Sequence, residues 1–539
     1  MRHRGCLRVR AIVVILTAAF TTLVAQRAPL TGAYERGSFT LTFTADGKYL
    51  IARGGTPVVE GMAQADGDQL TVRDTSGSMA CEADVSGHYK WRLEQDVLTL
   101  AVIDDACKGR ASGLGSGSWT RRKNDRPLAL VGATLIDGTG TPGRANSVLV
   151  INGGRITDLF SAGEKPVPAD AAVVRLEGRW IVPGLIDAHV HLATEPDGSD
   201  NRADVQRKLQ RALLGGVTAV RDMGGDVRVL GDLARSANLQ LIPSPAIWYS
   251  ALIGGPSFFD DPRVRASTRG ARAGALPWAH AVTPGADYRL VVAEAKGSGA
   301  QALKLYAGLP AEVLRPLTEE AHRQGMKVWS HAALFPARPR DAIAAGVDVL
   351  SHAALLIWEM TETVPDYTQR YAADYGAPAG TQLDGLLKEM AARGTMLEPT
   401  LHVVFGPGSP DARARWSADV SRRAQQLGVR LVAGTDGIGA EADGELPNIH
   451  RELELLVREA GLSPLDALVA ATGNAARALG IEDSRGTLAI GKAADVVVLN
   501  ADPLTNIKNT SNIACVLRGG RIYSTQPANG AASCAVDGR

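Results

Sequence analysis

Six side chains along the sequence are of types that bind metals or move protons: His189, His191, Lys304, His331, His352 and Asp436. The first two lie in the stretch Ile181-Val-Pro-Gly-Leu-Ile-Asp-Ala-His189-Val-His191-Leu, at positions i and i+2. In an extended chain such residues share a face, so both imidazoles can reach one ion. Imidazole and carboxylate ligands suit Zn2+ and its neighbours in the first transition row. Lys304 is the unusual member, because an ammonium repels a cation and is costly to bury unpaired. Two readings stay open for it. Its amine reacts with CO2 to give a carbamate that can bridge two metals, or it is an ordinary lysine paired with Asp436. A lone histidine is more often a packing residue than a ligand, so the assignment depends on all six converging.

Convergence requires elements that bring distant residues to one place. After the first stretch, short apolar runs alternate with amphipathic helical ones. The strand candidates are Val217 to Val220, Leu241 to Tyr249, Ala302 to Tyr306, Lys327 to His331, Val347 to His352, Met396 to Val404 and Val429 to Thr435. Helices are predicted between them, for example over Ala311 to Gln324 and Gln382 to Arg393, several ending in glycine. Strand and helix alternating eight times predicts a (β/α)8 barrel, an α/β fold whose reactive groups sit at the C-terminal ends of its strands. The six residues fall at those ends.

The flanks read differently. Leu128 to Ile136 and Ser147 to Ile156 are strand-like, and the same texture returns in Ala494 to Leu499 and Cys515 to Tyr523. These runs predict one small β-sandwich built from residues 127–182 and 483–525 around a barrel of 183–482. Residues 27–122 hold short alternating runs separated by Asp-Gly turns, which predict a small antiparallel barrel or sandwich. Ahead of them, Arg2, Arg4, Arg8 and Arg10 precede the apolar run Ala11 to Ala25, the pattern of a cleaved secretory signal over residues 1–25 and of a periplasmic or secreted protein. Cys81, Cys107, Cys515 and Cys534 would remain in the mature chain, and pairing within each neighbourhood is the economical arrangement. A formal net charge of +1 gives no global field for nucleic acid or an anionic membrane.

With these residues in view, the chain from Leu128 to Tyr523 resembles the amidohydrolase superfamily of metal-dependent hydrolases. The resemblance is carried by Pro183-Gly-Leu-Ile-Asp-Ala-His-Val-His191, Leu303-Lys-Leu-Tyr306, Val328-Trp-Ser-His331, Leu350-Ser-His352 and Gly434-Thr-Asp436. It is similar to the branch with a carboxylated lysine on the fourth strand, which includes prolidase-like and acyl-amino-acid-cleaving members. That similarity implies one metal held by His189, His191 and Asp436, a second by His331 and His352, and a carbamylated Lys304 between them, with zinc the expected ion. The opening Gly32-Ala-Tyr34, the Cys81 and Cys107 pair and the closing Trp119-Thr-Arg resemble lipocalin-like β-barrels. That resemblance implies either an apolar ligand or a plain accessory domain.

A metal pair makes hydroxide available near neutral pH, and Asp436 is the candidate proton shuttle to the leaving nitrogen. Tyr306, two residues past Lys304, is a candidate oxyanion donor or a packing residue. Tyr249 and His402, near the ends of the third and seventh strand candidates, are weaker substrate candidates. Residues 254–284, with His280, are expected to form a loop over the mouth and set specificity; they lack the Gly- and His-rich texture expected after the third strand in prolidase-like relatives. His322 and His450 fall on predicted helices and are explained by solvation or helix packing. The expected activity is hydrolysis of an amide or peptide-like C–N bond in a small molecule of the N-acyl amino acid or dipeptide type. The alternatives are a mononuclear deaminase or a hydrolase of cyclic amides, lactones or phosphotriesters, and, in another class, a binder of lipophilic ligands.

Overall fold

The computed structural model describes residues 30–44, 46–53, 56–94, 96–121, 126–194, 202–268, 271–376, 381–406, 409–524 and 534–536. The expected secretory signal lies outside them. The chain separates into two compact units, one ending at Arg122 and one beginning at Lys123.

In the first unit, eight antiparallel strands from Gly32–Arg36 to Ser118–Arg121 form a closed barrel, sealed by pairing of Tyr34 with Arg121. The alternation seen in the sequence is the alternation of the wall. Leu70 and Val72 point inward with Tyr34, Leu41, Tyr89, Leu98 and Trp119, all buried, while their neighbours face out. Arg110, on the helix Lys108–Gly115, is also buried. It bonds Asp74 at 2.9 Å and Asp105 at 2.8 Å, and the hydroxyls of Tyr49 and Tyr89 donate to the same two carboxylates. Cys81 and Cys107 are joined by a disulfide, and their backbone amides donate to Asp74 and Asp105 in turn. The covalent staple therefore fixes the acids that neutralise a buried guanidinium, which would otherwise be strongly destabilising. These buried side chains form one hydrophobic core within the barrel.

In the second unit, a mixed sheet draws on both flanks. Its order is Arg155–Ser161, Arg144–Asn152, Leu128–Leu135, Trp180–Pro183, Val496–Leu499, Ile513–Arg518, Arg521–Tyr523, with Ala172–Arg175 pairing parallel to Leu128–Leu135. Cys515 and Cys534 form a second disulfide beside it. Gly184 marks the crossing point in the chain: Trp180–Pro183 belongs to this sheet, and Leu185–Val190 opens the parallel one.

The parallel sheet runs Leu185–Val190, Val217–Asp222, Ala246–Gly254, Ala302–Leu305, Lys327–His331, Val349–Ser351, Met396–Glu398, with helices between. The eighth position is held by backbone bonds of residues 430–436. Leu397 donates to Arg430 and Val432 to Leu397 on one side, and Ala188 donates to Ala433 and Asp436 to His189 on the other. The ring is thus closed as a (β/α)8 barrel.

Two of the strand boundaries that differ from expectation do so because of proline. Pro243 and Pro245 keep the third strand from starting before Ala246, and it runs on to Gly254, so Tyr249 sits in mid-strand. Pro399 ends the seventh strand at Glu398, and Leu401–Val404 is a short helical turn that places His402 beyond the strand.

Candidate active site

Left-handed backbone marks three strand ends at the mouth: His352 (φ 71°), Thr400 (φ 51°) and Asp436 (φ 58°). Non-glycine residues rarely hold this conformation, and it gathers at functional sites where the surrounding fold enforces it. Here it follows the sixth, seventh and eighth positions of the ring.

Asp436 is the hub. Its Oδ1 lies 3.1 Å from His189 Nε2 and 3.0 Å from His191 Nε2. One ligand atom each from His189, His352 and Asp436 lies within 4.8 Å of the others, close enough for a shared ion. The His331 ring centroid is 4.7 Å from that of His352, and His189 and His352 are 5.2 Å apart. Behind this cluster Lys304 is fully buried and donates to Ser351 Oγ at 2.9 Å, not to Asp436. Ser351 Oγ donates in turn to Glu398 Oε2 at 2.7 Å, and the same oxygen lies 2.9 Å from His189 Nδ1. His352 Nδ1 is held by Thr400 Oγ1 at 2.9 Å. Asp187, also buried, accepts from the Thr435 hydroxyl and amide and from the His189 amide, tying the first strand to the eighth.

The electrostatics follow from burial and these partners. Burial opposes charge on His189, yet Glu398 and Asp436 outweigh it and lift the imidazole to about 9. Burial draws the Lys304 ammonium down to about 8 against the pull of Glu398 and Asp436. His331 and His352 are pushed well below the ordinary histidine value by burial and by the cationic groups around them, so they present neutral, ligand-competent nitrogens. Burial works against the Asp436 carboxylate, but His189 and His191 hold it well below the usual range. The part-buried Asp436 carboxylate, the neutral imidazoles of His331 and His352, and ring nitrogens without hydrogen-bond partners on His191 and His331 form a donor set that fits a divalent cation.

Of the substrate candidates, Tyr306 joins the site. Its ring centroid is 3.9 Å from that of His331, and it stacks on Phe258 at 4.4 Å and meets Tyr367 edge-on. Phe258 comes from the segment after the third strand, so part of that segment does reach the site. His280 does not join it; it faces Glu294 at 3.7 Å. Tyr249 is directed away from the cluster: its hydroxyl lies in the helical layer beside Gly231, and a side chain at Gly299 would run into it. The His402 amide donates to Glu452, and its ring packs half-buried with Nδ1 unpartnered. His322 pairs with Asp348, and buried His450 bridges Gly215 and Thr510. A cleft of about 530 Å³ opens beside the cluster, lined by His191, Asp436, Lys208, Glu441, Glu445 and Asn448.

Sequence reasoning missed Glu398, Ser351, Thr400 and Tyr367. A signal existed for the first: a carboxylate in an apolar run immediately before proline is placed at a strand end, where burial must be compensated. Ser351 and Thr400 carry no such signal, because hydroxyls are common in strands and turns.

Comparison with known proteins agrees with this geometry. The model of the amidohydrolase family matches residues 180–523. An ochratoxinase of Aspergillus niger is 27% identical over 520 residues, covering 87% of this chain and 95% of that protein. An imidazolonepropionase of Symbiobacterium thermophilum is 27% identical over 357 residues, covering 61% and 77%. A solved Xaa-Pro dipeptidase with methionine bound in its active site superposes with a TM-score of 0.58 at 21% identity, over 74% of this chain and all (100%) of that one, and so shares the fold. Family, fold and donor set together lead to one conclusion: the chain belongs to the amidohydrolase family, which implies divalent metal use, and is a hydrolase acting on carbon–nitrogen bonds.

Proposed function

We propose that the protein is an exported hydrolase with two divalent ions, most simply zinc, that cleaves an amide or peptide-like bond of an N-acyl amino acid or dipeptide. The observation that carries this reading is the clustering of His189, His352 and Asp436 ligand atoms within 4.8 Å, with His331 against His352 and Lys304 buried behind them. His189, His191 and Asp436 would hold one ion and His331 and His352 the other. Lys304 would bridge as a carbamate: the neutral amine bonds the carbon of CO2 and gives up one proton. Burial favours that neutral amine, and the remaining N–H can keep its bond to Ser351.

Bound ions would supply hydroxide near neutral pH and polarise the scissile carbonyl. Asp436 Oδ1, between His189 and His191, is the base that takes the proton of the attacking water and passes it to the departing nitrogen. Tyr306, against His331, offers a hydroxyl to the developing oxyanion and an aromatic face to the substrate. The aromatic wall of Tyr306, Phe258 and Tyr367 favours an apolar group beside the reacting carbonyl.

Two disulfides support export, since such bonds persist in oxidising compartments. For the N-terminal barrel, whose buried side chains form one hydrophobic core, the accessory role is the reading adopted.

The test is metal analysis of the purified protein joined to a screen of N-acyl amino acids and dipeptides for amine release. About two ions per chain and turnover of these substrates are expected. One ion per chain with release of ammonia from a ring amine would replace the reading with that of a mononuclear deaminase.

A further inference from the structure

We infer that Glu398 is a positioning residue for the metal site: it aims His189 directly and holds Lys304 through Ser351. This rests on the proposed metal reading but concerns Glu398, which that reading does not use. Glu398 ends the seventh strand, Ser351 the sixth, Lys304 lies on the fourth and His189 on the first. Their hydrogen bonds cross the inside of the ring and join four of its staves. All four side chains are buried.

The direction of the bonds is fixed by valence. Lys304 has only protons to give, so Ser351 Oγ accepts from it and must send its single proton onward to Glu398 Oε2. The same oxygen takes the proton of His189 Nδ1, so Nε2, 3.1 Å from Asp436, is the nitrogen that would turn its lone pair to an ion once its own proton is displaced. A ligating histidine whose far nitrogen donates to a carboxylate has its ring plane and tautomer set before the ion arrives, and losing such a partner typically lowers metal affinity 10–100-fold. The backbone shows that the fold makes room for this carboxylate. A Cβ at Gly434 would stand 1.8 Å from Glu398 Oε1 and 2.9 Å from His189 Cβ. Only glycine lets Glu398 lie against the first and eighth positions at once.

The test compares wild type, Glu398→Gln, Glu398→Leu and Ser351→Ala in the full chain, reading zinc affinity by competition with a chelating dye and thermal stability without metal. Leucine fills the site but removes both bonds. We expect it to lower the metal-free melting temperature, because His189 and Ser351 lose a buried acceptor, and in addition to weaken zinc binding of the folded protein 10–100-fold. Glutamine, whose amide oxygen can accept both protons, should recover most of the affinity. Ser351→Ala frees Lys304 while leaving His189 held, so it should weaken the carbamate signal seen by 13C NMR after labelled bicarbonate is added. Should leucine misfold, the comparison of glutamine and Ser351→Ala with wild type still reads the two arms separately. Equal zinc affinity in the leucine variant and wild type overturns the inference with the metal reading intact. A wild type that takes up no zinc overturns both.

Discussion

Replacing Gly434 by alanine would test the packing that seats the buried carboxylate. The added methyl would lie 1.8 Å from Glu398 Oε1 and 2.7 Å from its Cδ. To reach an ordinary contact of about 3.4 Å the carboxylate must retreat by about 1.6 Å. A retreat of that size, taken along the bonds, stretches the 2.9 Å contact with His189 and the 2.7 Å contact with Ser351 beyond hydrogen-bonding distance. Overpacking costs about 1–3 kcal/mol, and each lost bond to a charged group about 1.5–3 kcal/mol more. A total on the order of 4 kcal/mol follows once partial relaxation is allowed. A double-mutant cycle isolates the cause. In a Glu398→Ala background the methyl meets no carboxylate, and His189 Cβ, at 2.9 Å, remains of the three nearest atoms. Gly434→Ala should then cost roughly 2–3 kcal/mol less than in the wild type. The assay is calorimetry of the metal-free protein, following the transition of the catalytic unit, with zinc titration alongside. Equal costs in both backgrounds would show that Glu398 is not what Gly434 accommodates, and the reasoning would fail.

Three further outcomes are expected. Thr400→Val keeps the shape but removes the hydroxyl from His352 Nδ1; zinc affinity should fall about 10-fold with little change in metal-free stability, and an unchanged dye competition curve would count against the role of Thr400. His450 is buried, and its imidazole is pulled from 6.5 to about 4 by burial, against the bond to Gly215. The unfolded chain therefore binds the extra proton first. Stability from this group is full above about pH 6.5 and is lost as pH falls towards 4, on the order of 3 kcal/mol in all. His450→Gln should flatten that acid limb in melting temperatures recorded from about pH 4 to 7, and an unchanged slope would refute the assignment. Opening the Cys81–Cys107 link, which closes 26 residues, with the double change to serine should cost the first barrel about 3.5 kcal/mol, or roughly 15–25 °C in its own transition. A barrel that melts at the wild-type temperature would show that the Arg110 cluster does not depend on the staple.

Much of the fold could be read from the chain because period and punctuation agree with it. The i, i+2 histidines, the apolar runs ending in His331 and next to His352, and the helices closing on glycine each report a local rule that the tertiary structure obeys. Misreadings arose where one residue overrode its neighbours. Pro243 and Pro245 moved the third strand and carried Tyr249 into the helical layer, and Pro399 cut the seventh strand short and moved His402 off its end. The relay behind the ligands was hidden for a different reason. Glu398, Ser351 and Lys304 are far apart in sequence, and no periodicity links a serine on one strand to a carboxylate on the next. Only the register of the parallel sheet, which sets Ser351 opposite Glu398, brings them together.

The eighth position of the catalytic ring has a consequence for how the molecule responds to losing its cation. Residues 430–436 are held to their neighbours by a few backbone bonds, and Asp436 stands at the end of that seam. An ion gripped by Asp436 and by His189 and His191 of the first strand would act as a rivet across the join between the eighth and first positions. Chelation should therefore be felt first as faster amide exchange along this join, well before the remaining staves loosen.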